Sequence, residues 1–193
     1  WYYLAVNVSN HPQGEGGAIV TAQRGRTLDL VLLLLVFAGS LILYVSTLAP
    51  TVVTVFDDSP EFQLVCHLLG VAHPTGYPLY TLLGKLFTLL PAGDVAYRVN
   101  LMSAVFAALA AGFLALLVRE LTGRRLAGAL AALSLGVSPV FWSQATIAEV
   151  YPLHLFLLVL MLWMLARWDG AGESGGRWLV ALAAAGGLAL THH

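Results

Sequence analysis

Residues 28–49 read LDLVLLLLVFAGSLILYVSTLA. Apart from Asp29 near its start, this run carries no charge, and about 20 apolar residues suffice for a helix to cross the hydrocarbon core of a bilayer. The competing reading is a cleaved signal peptide ending at Thr47-Leu48-Ala49. It fails on length, because a signal core holds about 7–15 apolar residues. Composition agrees with a retained spanning helix: of 193 residues, 59% are hydrophobic and only 10% charged. A soluble domain carries roughly 25% charged residues, so this chain has too few to cover a water-facing surface. The formal net charge of −1 gives no basic footprint for nucleic acid. A single cysteine, Cys66, rules out an intrachain disulfide and a cysteine-based zinc cluster.

Further spans follow along the chain. Residues 99–118 (VNLMSAVFAALAAGFLALLV) end at Arg119-Glu120, residues 126–142 form a shorter run with Pro139 near its far end, and residues 147–168 are interrupted only by Glu149, Pro152 and His154. A fifth run starts at Trp178 and breaks off at Thr191-His192-His193, the expectation being a fragment of a longer protein. Small residues in spans two, three and five permit close helix packing in lipid. Residues 1–27 are mixed and Gly-containing and form a cytoplasmic N-terminal segment; their Asn7-Val8-Ser9 triplet is a glycosylation sequon too short to carry weight alone. The expected fold is therefore all-α: a polytopic transmembrane helical bundle over residues 28–193, with about five spans. Between the first two spans, residues 50–98 form a loop of another kind, in which residues 79–90, carrying Lys85 and bounded by Pro78 and Pro91, read as an interfacial helix too short to cross.

Orientation follows from the basic residues, which favour the cytoplasmic side. Arg24, Arg26, Arg119, Arg124, Arg125, Arg167 and Arg177 fall on one side, while Lys85 and Arg98 fall on the other. The first side is cytoplasmic, and the chain is a multi-pass protein of the cell inner (plasma) membrane. Asp57, Asp58, Glu61, His73, Asp94 and Glu149 then share the opposite face, with His192 and His193 heading there.

Three stretches on that face hold chemistry-bearing residues. Asp57-Asp58-Ser59-Pro60-Glu61-Phe62 sits among apolar neighbours, where carboxylates pair, bind cations or take protons from hydroxyl groups; Asp58 or Ser59 also suits a helix cap before Pro60. His73 lies in the turn-rich run His73-Pro74-Thr75-Gly76-Tyr77-Pro78, where it can bind phosphate, accept a proton or cap a helix. Glu149 lies between spans three and four, where reaching the headgroup layer is the plainer reading.

The order DSPEF, AHPTGYPLYTLLGKLFTLLP, AYRVNLMSAVFAAL, FWSQATIAEVYPLH and a Thr-His-His end resembles a bacterial family of membrane proteins long labelled as a domain of unknown function. Its relatives include a eukaryotic transmembrane protein O-mannosyltransferase, within the GT-C superfamily of glycosyltransferases that use lipid-phosphate-linked sugars. The resemblance covers about residues 45–193. It implies an inverting transfer of a sugar, mannose among the candidates, from a polyprenyl-phosphate donor to a hydroxyl of a protein or glycan acceptor at the extracytoplasmic face, with membrane lipid as surroundings. It also implies a catalytic base in the first extracytoplasmic loop. Asp58 occupies that position, with Glu61 as the second acid; Pro60 stands where the family commonly has glycine, and the extra acid Asp57 is the alternative base. His73, Glu149, His192 and His193 match further motif positions, and with Arg98 they are candidates for binding substrate and the departing phosphate. No spacing demands a metal, although Asp58, Glu61 and Glu149 offer the hard oxygen ligands a divalent ion takes. Two other classes compete: a non-enzymatic subunit scaffolding a larger membrane complex, and a transporter, which wants broken helices at mid-membrane.

Overall fold

The computed structural model describes residues 13–54 and 58–192, with the side chains of 13–22, 173 and 174 left out. Asp57 and His193, and the segment 1–12 with its sequon, lie outside the described residues. The described chain is all-helical, without a strand: α1 (Gln13–Ser46), α2 (Asp58–Leu68), α3 (Pro78–Thr88), α4 (Val95–Thr122), α5 (Arg125–Gly136), α6 (Pro139–Ala145), α7 (Tyr151–Asp169) and α8 (Gly176–Leu190), with a short 3₁₀ turn at Gly172–Gly175 before α8.

Three of these helices are long and apolar enough to cross a membrane: Gln23–Ser46, Val95–Thr122 and Tyr151–Asp169. A fourth crossing arises if α5 and α6, bent by 70° relative to each other, count as one broken span. The break has a local cause. Val137 and Ser138 separate the helices, and the residue before a proline is pushed out of the helical region; Ser138 is accordingly extended, with Pro139 opening α6. The phenol of Tyr44 donates to the carbonyl of Gly136 at 3.1 Å, at the end of α5. The fifth run of the sequence, α8, is 15 residues long, roughly 22 Å at 1.5 Å per residue. It nonetheless reaches from Trp178, stacked edge-on to Trp163, to His192, against Tyr77.

Helix α4 is the central element, packed on α1, α5 and α7, with α2 and α3 across one end. Its buried face is built of Ala104, Ala107, Ala108, Ala110, Ala111 and Ala115, which lets neighbouring backbones approach, as small residues do between helices in lipid. The approach is closest at Gly128 of α5, where a Cβ would strike the carbonyl oxygen of Ala115. The outer faces stay apolar, as Leu35 and Ile42 of α1 illustrate at 68% and 71% exposure. That pattern belongs to a protein solvated by lipid. The molecule is a membrane protein.

The loop between the first two spans folds into two helices. Helices α2 and α3 lie against α4 through Phe62, Cys66, Tyr80 and Met102. They approach so closely that a Cβ at Gly84 would collide with the sulfur of Cys66. Buried Asn100 of α4 ties the loop down: it accepts from Gln63 of α2 at 2.9 Å and donates to the carbonyl of Ala49 at 3.0 Å. Lys85 donates to the carbonyl of His67 at 2.6 Å, closing the C-terminal end of α2, where a cation is favoured.

Candidate functional site

Helix α2 begins at Asp58 and carries Asp58 and Glu61 in its first turn, where negative charge is stabilised by the free N–H groups and the helix dipole. Pro60 is tolerated there because no intrahelical N–H bond is needed in the first turn. The 3.6-residue period then sorts the side chains. Asp58 and Glu61, three apart, share one side, while Ser59 and Phe62 are buried. Ser59 donates to Glu149 Oε1 at 3.3 Å, joining the start of α2 to the connection before α7.

His73 is brought to Glu61 by the reversal of the loop that follows. The N–H of Gly76 donates to the carbonyl of His73 at 2.8 Å. Gly76 and Tyr77 have φ of 95° and 47°, so two consecutive residues lie in the left-handed region that only glycine occupies at no steric cost. A tyrosine there is held by its surroundings: its ring meets Phe62, His73 and His192 at centroid distances of 5.5, 5.5 and 6.2 Å. Strain of this kind at a non-glycine residue concentrates at functional sites. Glu61 accepts twice from His73, from the backbone N–H at 2.7 Å and from Nδ1 at 2.9 Å. That bond holds the Glu61 carboxyl below its ordinary range and raises the imidazole above its own, with Asp58 and Glu149 adding to the latter. Both shifts favour the charged pair.

Glu149 is 5% exposed, and burial pushes its carboxyl up from the ordinary value. It is positioned from two sides, by the Ser59 hydroxyl and by Ser103 of α4, whose hydroxyl accepts from the Glu149 N–H at 3.1 Å. His192 is also buried. Its Nε2 donates to the carbonyl of Val150 at 3.2 Å, and its ring stacks near His154 and Tyr80. The N–H of Leu79 donates to the carbonyl of Thr191 at 3.1 Å, so the last described residues are pinned to the start of α3, beside the His73 loop.

Asp58, Glu61, His73, Glu149 and His192 thus converge at one end of the bundle, and the first three each offer a ligand atom within 4.8 Å of the others. Such a set suits a divalent cation in residue type. Both Glu61 oxygens already accept from His73, which leaves each of them one further lone pair to offer an ion. Arg98 is placed apart. Its guanidinium donates to the carbonyls of Thr88, Ala92 and Gly93 and clamps the turn between α3 and α4. Beside the His73 loop lies a cavity of about 480 Å³ with a largely apolar lining, including Leu69, Val71, Pro78 and Leu82. Sequence reasoning singled out neither Ser103 nor Tyr77 as site residues. Ser103 is a lone serine in an apolar span with no signal to mark it, whereas Tyr77 sits after a glycine between two prolines, a context that announces an unusual backbone.

Residues 58–193 match the family described as Protein O-mannosyl-transferase TMEM260 N-terminal domain. The match begins at the first residue of α2 and takes in every member of the cluster. The chain belongs to the TMEM260 N-terminal domain family. It is 42% identical over 125 residues to the Mus musculus protein named Protein O-mannosyl-transferase TMEM260, covering 64% of this chain and 18% of that relative. It is 33% identical over 139 residues to the Dictyostelium discoideum protein of the same name, covering 70% of this chain and 17% of the relative. The chain therefore spans less than a fifth of the length of these TMEM260 proteins. No solved structure matches it. Helix α1 lies ahead of the family match, and the site is built from elements inside it.

Proposed function

We propose that this chain carries the catalytic rim of a membrane glycosyltransferase of the GT-C type, which moves a sugar, mannose, from a polyprenyl-phosphate donor to a hydroxyl group of a protein or glycan acceptor. The observation that carries this reading is the convergence of Asp58, Glu61 and His73 within 4.8 Å, with Glu149 held nearby by the Ser59 hydroxyl, at the end of helices long enough to span a bilayer. The name shared by the two relatives supports the sugar and the transfer.

In this reading the acceptor oxygen attacks the anomeric carbon as Asp58 takes its proton. The bond from that carbon to the donor phosphate breaks on the far side, so the anomeric configuration inverts. The lipid phosphate leaves with the bonding electrons and gains negative charge. The His73 imidazolium, steadied by Glu61, is suited to meet that charge, because preorganised donors act where charge develops. Glu149 and His192 are suited to bind the sugar and the acceptor; His193 and Asp57, outside the described residues, stand next to the same groups in sequence. The apolar cavity flanking the His73 loop suits the first isoprene units of the donor lipid. The chain lies in the plasma (inner) membrane with its arginine-rich end in the cytoplasm, as the distribution of positive charge favours.

The test is Asp58→Asn in the intact protein, with transfer from polyprenyl-phosphate mannose measured in isolated membranes. Loss of a general base lowers the rate by about 10²–10⁴-fold, with accumulation in the membrane unchanged. Full activity in Asp58→Asn together with loss in Asp57→Asn would move the base to the neighbouring residue; full activity in both ends the assignment.

A further inference from the structure

The end of the bundle opposite Asp58 holds a second cavity, of about 260 Å³, enclosed by α1, α4, α7 and α8. Its polar lining includes Arg26, Arg119 and Arg167. The two carboxylates that share the lining are already engaged. Asp29 accepts from Arg119 at 2.9 Å and Arg125 at 2.8 Å, and Glu120 accepts from Arg119 at 2.9 Å and Arg167 at 3.4 Å. Among the described residues, the three guanidiniums of the lining (Arg26, Arg119, Arg167) outnumber its two carboxylates, and Arg125, bonded to Asp29, and Arg177, over the Trp178 ring at 5.4 Å, add positive charge nearby. Asp169, the nearest further acid on α7, lines a different cavity.

An independent observation points to an absent acceptor. Arg167 Nε and Trp178 Nε1 are buried N–H donors lining this cavity, and neither has a hydrogen-bond partner among the described residues. Buried donors left without an acceptor are costly, and a bound anion would satisfy both. Arg26 likewise bonds to no described residue while lining the same space. The remaining wall is apolar. Along α1 it passes from Arg26 and Asp29 to Leu30 and Leu33, one to two helical turns deeper toward hydrocarbon, and Leu30 and Leu34 are more than half exposed. A cationic mouth with tryptophans, opening onto an apolar helix face at the end of membrane-length helices, has the polarity of a phospholipid at the interface.

We propose that this cavity binds the headgroup of an anionic phospholipid, its phosphate meeting Arg26, Arg167 Nε and Trp178 Nε1 and an acyl chain lying along Leu30 and Leu33. The assignment is independent of the chemistry proposed at the other end. It is tested on the intact protein in detergent by following Tm while titrating dioctanoyl phosphatidylglycerol, dioctanoyl phosphatidylcholine or inorganic phosphate. Phosphatidylglycerol raises Tm to a plateau, and neither of the other two does so at the same concentrations. Arg26→Gln, which removes no contact within the described fold, leaves the lipid-free Tm unchanged and raises the half-saturating concentration about five- to tenfold, the worth of roughly one interfacial arginine. Arg167→Lys keeps the charge but loses the Nε–H donor, and weakens binding by a smaller factor. An equal response to phosphatidylcholine, a saturable response to phosphate alone, or an unmoved midpoint in Arg26→Gln overturns the proposal.

Discussion

The two ends of the bundle hold similar acidic side chains in opposite circumstances. At the arginine-bearing end Asp29 and Glu120 each accept from two guanidiniums, so their charge is neutralised and serves to lock α1 to α4 and α5, and α4 to α7. At the other end Glu61 has one imidazole, Asp58 bonds no described cation, and Glu149 is buried with neutral donors, the Ser59 hydroxyl and the Val150 N–H, on its carboxylate. The difference teaches that acid content alone does not mark a site. Carboxylates left short of positive charge, next to a backbone held in a strained turn, are the ones available for chemistry.

The sharpest way to break this comparison is to remove one acid from the well-paired end. Asp29→Asn leaves Arg119 and Arg125 facing a neutral amide, and taking one partner from a part-buried pair costs about 1–3 kcal/mol once partial exposure is allowed for. A lower Tm of the intact protein, with sugar transfer at low temperature unchanged, is the expected result; a drop in transfer without a drop in Tm contradicts the division of roles. A smaller effect is expected from Asp94→Ala. Asp94 caps α4 by accepting from the Tyr97 N–H at 2.8 Å, and a lost cap costs about 1 kcal/mol. Chemical denaturation should show that loss, while the Glu61–His73 pair is unaltered by histidine NMR.

The finest test is one of pH. His73 is raised above its ordinary value of 6.5 and Glu61 lowered below 4.5 by their mutual hydrogen bond. The His73 contribution is complete below pH 6.5 and is lost as pH rises through the raised value. The Glu61 contribution is present above pH 4.5 and is lost as pH falls through the lowered one. The pair therefore spans the whole interval between those ordinary values, extending past it on both sides. In Glu61→Gln the His73 titration, followed by NMR, moves back down toward 6.5. A titration that stays where it was shows that the raised value comes from elsewhere.

Much of this was legible before any coordinates. The long apolar runs gave the spans because only a helix satisfies its own backbone in lipid, and counting crossings placed residues 58 and 149 on one face, where the Ser59–Glu149 bond now joins their neighbourhoods. The Ser138-Pro139 break lay in a run read as one short span: Pro139 marks its place in the sequence, but periodicity does not encode the 70° angle between the two pieces. Helix α2 was harder to see than α3: its apolar residues are mixed with Gln63 and His67, and it is held by Asn100 rather than by a clean amphipathic face. Arg98 carried the charge expected of a phosphate ligand, but its partners are three backbone carbonyls, and hydrogen bonds between side chain and loop backbone leave no mark in a sequence.

Ser59 and Glu149 stand 90 positions apart in the chain, with the spanning helix α4 and the bent α5–α6 pair threaded between them. While the protein is being inserted, the first acids emerge long before their counterpart, and the cluster stays incomplete until α8 has followed α7 and brought His192 beside the start of α3. A nascent chain stalled earlier carries Asp58 and His73 without Glu149 and His192, so the cluster is assembled late in biogenesis rather than with the first loop.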